Sequence, residues 1–144
     1  MPTYTFTTSS SYALSTHEVV FTNKKIKVIL SSTKQVVYEK TYGTGGVAFM
    51  CSGNNFCIGT LADNGVFTNT VDFRNNTNAA LWLVEQSGEN VFIGTNDETD
   101  ENIYHKYDIN QCPVRLKESS DVVTMECPCQ NSSGTCTNDC YTYG

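Results

Sequence analysis

Apolar positions along this chain alternate with period two or form short runs, and turn residues interrupt them every eight to twelve positions. Strands give that periodicity and helices do not. Lys25–Leu30 is the clearest case. Ile26, Val28 and Leu30 fall on one face and Lys25 and Lys27 on the other, as in a half-buried strand. Further strands are predicted at 3–7, 17–22, 35–39, 47–51, 56–61, 66–73, 79–85, 90–94, 103–109, 113–116 and 122–125. Ser31-Ser32-Thr33 is expected to fold Ile26–Leu30 and Val36–Tyr38 into a hairpin. Asp63-Asn64-Gly65 is expected to do the same for its flanking runs, since Asn and Gly tolerate positive φ. Leu81 and Leu83 flank Trp82 in an uncharged stretch, so Trp82 is expected to be largely buried. The fold class read from this pattern is all-β: an antiparallel, jelly-roll-like β-sandwich or a closed barrel.

Composition supports the same reading. The 144 residues include 19 Thr, 14 Asn and 12 Ser. Thr suits strands, Asn and Ser suit turns, and all three are weak in helix interiors. A chain of this length can bury a core without cross-links. Net charge is −6, and the nine Lys and Arg are scattered apart from Lys24, Lys25 and Lys27. That pattern lacks the basic footprint of a nucleic-acid-binding protein. No apolar run is long enough for a membrane-spanning helix. The segment Met1–Phe6 lacks the basic and apolar regions of a secretory signal.

The last thirty-three residues change the picture. Cys112, Cys127, Cys129, Cys136 and Cys140 are spaced C-x14-C-x-C-x6-C-x3-C among Ser, Gly, Asn and Thr. Such a segment has little to bury, so cross-links must order it. Residues 127–144 are therefore expected to form a stapled tail on a β-domain at 1–126. Four thiols at 127, 129, 136 and 140 match the ligand count of a structural zinc, but Cys127-Pro128-Cys129 is too tight for an easy chelate. Disulfides explain the same residues with looser geometry, and at least two are expected among the five. Cys51 and Cys57 bracket a short turn and suit either a disulfide or two buried free thiols. Seven cysteines leave at least one without an intrachain partner.

Other candidate chemistry is sparse. No nucleophile elbow, phosphate-binding loop, dinucleotide fingerprint or zinc-protease motif occurs, and the two histidines, His17 and His105, sit in strand patterns. The acidic stretch Asp97 to Glu101 offers oxygen donors of the kind calcium takes. However, the sixth position from Asp97 is Asn102, where an EF-hand needs Gly, so it reads as a solvated loop. Asn75-Asn76-Thr77 and Asn131-Ser132-Ser133 match the glycosylation pattern, as chance allows in so Asn-rich a chain. Tyr141 and Tyr143 lie in the polar tail, and tyrosine favours interfaces, so both are candidates for contact with another chain.

The sequence therefore predicts a non-enzymatic structural or assembly protein without cofactor or metal. It would be a virion, capsid-associated or other extracellular particle component whose partners are protein subunits, including copies of itself. The competing expectation is a secreted carbohydrate-binding or toxin-like module whose signal peptide has been removed.

Overall fold

A computed structural model describes residues 3–6, 10–14, 16–43, 46–74, 81–86, 90–94, 103–118, 123–131, 136–137 and 140–143. It carries fourteen strands and no helix among these residues. In chain order they are β1 (Thr3–Phe6), β2 (Ser10–Ala13), β3 (His17–Phe21), β4 (Lys25–Leu30), β5 (Gln35–Thr41), β6 (Val47–Ser52) and β7 (Asn55–Leu61). They continue as β8 (Val66–Arg74), β9 (Trp82–Gln86), β10 (Asn90–Gly94), β11 (Ile103–Asp108), β12 (Val114–Glu118), β13 (Val123–Glu126) and β14 (Thr142–Tyr143).

Three sheets result. The largest has the order β1-β13-β12-β6-β7-β8-β14, the second β10-β9-β11 and the third β2-β3-β4-β5. All pairings are antiparallel except β14 on β8, which is parallel. Each sheet is open at both ends, so the closed-barrel alternative is wrong. The expected hairpins form: Ile26–Leu30 pairs with β5, and the Asp63-Asn64-Gly65 turn joins β7 to β8. Gly65 takes φ +89, the conformation a β-carbon opposes.

One core cluster draws on all three sheets. Phe49 of β6 lies between Phe56 of β7, at 5.6 Å between ring centroids, and Phe21 of β3, at 5.2 Å. Val19, Ile26 and Val28 reach the cluster from the four-stranded sheet, and Leu83 and Ile93 from the three-stranded one. Leu81, Leu83 and Val84 are buried, and Trp82 among them is partly buried.

The seven-stranded sheet is covered on both sides. On β6, Val47, Phe49 and Cys51 join the main core. Ala48 and Met50 join a second cluster with Cys57, Leu61 and Phe67. Beside it, β8 carries one extra residue: Ile58 pairs with Val71 but Gly59 pairs with Asn69, leaving Thr70 as a bulge. A β-carbon on Gly59 would overlap the Thr68 carbonyl, so the backbones meet closely only because residue 59 has no side chain. Gly59→Ala should therefore cost about 3 kcal/mol, as forced overpacking does. A urea midpoint equal to that of the wild type would show that β8 can move aside.

Candidate functional site

Among the described residues of the C-terminal tail, Cys127 enters the main core, β14 extends the seven-stranded sheet beside β8, and Tyr141 covers its outer face. Two disulfides hold the tail: Cys112–Cys136 and Cys129–Cys140. Gln130 and Cys136 form a bridge between them, and both the N–H and the hydroxyl of Thr137 donate to the Cys129 carbonyl, at 2.8 and 2.9 Å. Beyond Cys140, the N–H of Thr142 donates to the Gly65 carbonyl at 2.8 Å, starting the short ladder of β14 on β8. Tyr141 packs on the second apolar cluster. Its hydroxyl donates to Gln111 Oε1 at 2.6 Å, and Gln111 Nε2 donates onward to Ser52 Oγ at 2.9 Å. Tyr143 leans on Phe67 with centroids 5.8 Å apart and keeps 48% of its surface exposed.

Cys51, Cys57 and Cys127 remain as free, buried thiols. A Cys51–Cys57 disulfide is absent because of strand parity. Cys51 sits opposite Phe56, and Met50 opposite Cys57. Cross-strand partners share a face and chain neighbours do not, so the two thiols point to opposite sides of the sheet. Burial pushes the Cys51 thiol up to about 12, with smaller contributions from Cys57 and Asp108. It does the same for Cys127, to about 12, aided by Glu126. Burial also raises Cys57, as does Asp72, while a hydrogen bond with Tyr143 acts in the other direction. All three are therefore protonated and poorly nucleophilic near neutral pH. None is placed to form a surface disulfide with another chain. The four-thiolate zinc alternative falls because Cys129, Cys136 and Cys140 are all in disulfides. Among the described residues no group of His, Cys, Asp and Glu could hold a metal. The acidic stretch at 97–101 and the Asn75–Thr77 motif lie outside the described residues.

Two features escaped the sequence reading. The first centres on Arg115, on the same outer face. Val114 and Leu116 of β12 enter the core, so alternation sends Arg115 and Lys117 outward. Cross-strand pairing sets Arg115 opposite Glu126, with 3.5 Å between Nη2 and Oε2, and Lys117 Nζ meets the other carboxylate oxygen at 2.8 Å. Arg115 Nη1 reaches Asp63 Oδ1 at 3.1 Å. Asp63 is fully exposed, so that link is weak, whereas the Arg115 and Glu126 side chains are only 13% and 11% exposed. Arg115 Nε has no hydrogen-bond partner among the described residues. A pocket of about 360 Å³ opens beside this group, lined by Gly43, Gly46, Asp63, Leu116, Lys117 and Glu118 as well.

The second feature is β5. It is an edge strand that pairs with β4 alone among the described residues, and Val36 and Val37 on it are 43% and 45% exposed. Val37 is an extra residue in the ladder, because Val28 pairs with Tyr38 and Ile29 with Val36. Tyr38 and Phe73 lie 6.3 Å apart between ring centroids, and His17 lies 5.3 Å from Phe73. The three rings are half-buried, and Tyr38 and Phe73 pack against the main core, whereas Val36 shares the other face of the sheet with Ile29. The adjacent pair Val36-Val37 was the available signal, since two neighbouring apolar residues on a single-sided strand cannot both face the core.

No protein-family model matches the chain, and neither a curated protein nor a solved structure matches it.

Proposed function

We propose that this chain is a non-enzymatic structural or assembly protein that acts through contacts with neighbouring subunits, including copies of itself. A virion, capsid or other extracellular particle is the setting that suits it. One observation carries the reading: β5 is an edge strand among the described residues and leaves the neighbouring Val36 and Val37 43% and 45% exposed. An apolar edge is a liability unless something covers it. The bulge at Val37 and the charges of Glu39 and Lys40 oppose indiscriminate strand addition, so the contact is made by side chains and not by extending the sheet. Tyr143, half-exposed on the far side of the fold, is a second point of contact. Two disulfides are compatible with an oxidising, extracellular location, and no helix among the described residues is long and apolar enough to cross a membrane. We read the layering as a jelly-roll-like sandwich, the seven-stranded sheet facing the two smaller ones across the shared core. Nucleic acid is no part of this reading, given the net charge of −6.

Sedimentation velocity across a micromolar to millimolar range tests the proposal. The wild type should self-associate with rising concentration. The double variant Val36→Lys/Val37→Lys should remain a monomer of unchanged melting temperature, because surface changes alter stability by less than about 0.5 kcal/mol. If the wild type and the variant are both monomers throughout, subunit contact through β5 is wrong. The Arg115 pocket favours a second reading in that event. It gathers Asp63, Arg115, Lys117 and Glu118, charged groups that can bond sugar hydroxyls, as a secreted carbohydrate-binding module requires. Saturable binding of a sugar, lost in Arg115→Gln, would establish it.

A further inference from the structure

We propose that the C-terminal strand β14 is a strap locked by the Cys129–Cys140 disulfide. Reducing that bond frees the strap from the β8 edge of the seven-stranded sheet, withdraws Tyr141 and Tyr143 from the outer face, and opens Cys57 and its apolar neighbours to solvent. This inference goes beyond the subunit-contact reading and does not depend on it.

The strap is short and has few ties of its own. Its ladder comprises two residue pairs, Thr142 with Val66 and Tyr143 with Phe67. Two residues of ladder alone do not offset the conformational entropy of ordering such a segment. The Tyr141 hydroxyl bond to Gln111 and the Tyr143 ring on Phe67 add to it. The firm anchor is the disulfide one residue before Tyr141. Cys129, at its other end, is 1% exposed and fixed in the fold. The seat is shaped for the strap. Gly65 turns with φ +89, and a β-carbon there would press on the Cys140 carbonyl at 2.7 Å. Beneath lie Met50, Cys57, Leu61 and Phe67, which Tyr141 helps to bury. Cys57 is 2% exposed in this state.

The lock can be reached from outside. Cys140 is exposed, whereas in the other disulfide Cys112 is buried and Cys136 half-buried. A dithiol reductant supplies the electrons. Its thiolate attacks Cys140 Sγ, the bond between the two protein sulfurs breaks, and the electron pair leaves on Cys129, which takes up a proton. The second thiolate of the reductant then attacks the mixed disulfide and closes a cyclic disulfide, and Cys140 leaves as a thiolate that is protonated in turn. Two electrons and two protons pass from the dithiol to the protein. Cys51 provides an internal reference, because strand parity places it on the opposite face of the same sheet, in the main core.

The test is alkylation of the intact native chain with iodoacetamide, read by peptide mass spectrometry with and without a dithiol. With both disulfides closed, Cys57 should label as slowly as Cys51. After reduction of Cys129–Cys140, Cys57 should label faster by about a hundredfold, the factor by which losing a loop closure of this length shifts a local opening. Cys51 should stay protected. The variant Cys129→Ser/Cys140→Ser should label at Cys57 without reductant, and Cys112→Ser/Cys136→Ser should not. Should a variant fail to fold, the time course of the reduced wild type decides the matter. Cys57 labelling that is unchanged when Cys129–Cys140 opens overturns the strap. So does labelling of Cys57 and Cys51 at equal rates after reduction, since that reports loss of the whole fold.

Discussion

Above pH 9 the protein is expected to lose stability steeply, by about 5 kcal/mol at pH 11. The cause is the pair of thiols in the main core. In an unfolded chain a cysteine releases its proton near pH 9, whereas Cys51 and Cys127 hold theirs until about pH 12, chiefly because burial disfavours the thiolate. Below pH 9 both thiols are protonated in both states and contribute no pH dependence. Between pH 9 and 12 the unfolded chain binds fewer protons than the native one, so stability falls as pH rises. Each thiol contributes about 1.4 kcal/mol per pH unit across that window. The Tyr42 phenol acts in the same direction. Burial raises it, against a smaller opposing effect of the Thr22 backbone, and its one hydroxyl proton is shared between the carbonyls of Thr22 and Lys25, both at 2.8 Å. A loss of this size matches the whole stability of many domains, roughly 5–15 kcal/mol. Urea midpoints at rising pH, with disulfides kept closed, measure it. The variant Cys51→Ala/Cys127→Ala should flatten the slope. A midpoint that holds constant to pH 11, or a slope unchanged in the variant, would show that these thiols ionise inside the fold.

Strands were legible wherever period-two alternation met a turn signal. Lys25–Leu30 and Asn90–Gly94 appear with the bounds expected of them, and most others within one or two residues. Two were invisible. Ser10–Ala13 and Thr142–Tyr143 carry no alternating apolar pattern, because β2 is placed by its pairing with β3 and β14 by a neighbouring disulfide. Tertiary partners made those strands, and a single sequence does not display them. Candidate chemistry was legible as residue type and not as arrangement. Seven cysteines announced cross-links, yet pairing depended on the fold. Parity separates Cys51 from Cys57, while the approach of the tail to residue 112 joins Cys112 to Cys136. Arg115 gave no sign in the sequence, since the alternation of Val114, Arg115 and Leu116 suggested an ordinary solvent-facing arginine. It is sheltered because Glu126 lies directly across the ladder and Leu61 offers its carbonyl at 3.4 Å.

A chain ending at Glu126 is expected to be unfolded, contrary to what the polar composition of the last residues suggests. Composition argued for a tail separable from its domain, but the structure integrates it. Cys127 is fully buried in the main core, near Tyr107 of β11, and Cys129 is 1% exposed. Truncation would leave a void where Cys127 sits and would uncover Met50, Leu61 and Phe67 on the outer face. It would also remove both disulfides, because Cys112–Cys136 joins the tail to the connection that leads into β12. In the chain-entropy account each loop of this length is worth about 3 kcal/mol. Uncovering the apolar face costs roughly 1.5–3 kcal/mol for each large side chain that becomes fully exposed. Together these exceed what a domain of this size can spare. Residues 1–126 should therefore give a collapsed proton–nitrogen NMR spectrum and no cooperative melting transition. A dispersed spectrum with a sharp melt would show that the β-domain stands without its tail, as the sequence alone implied.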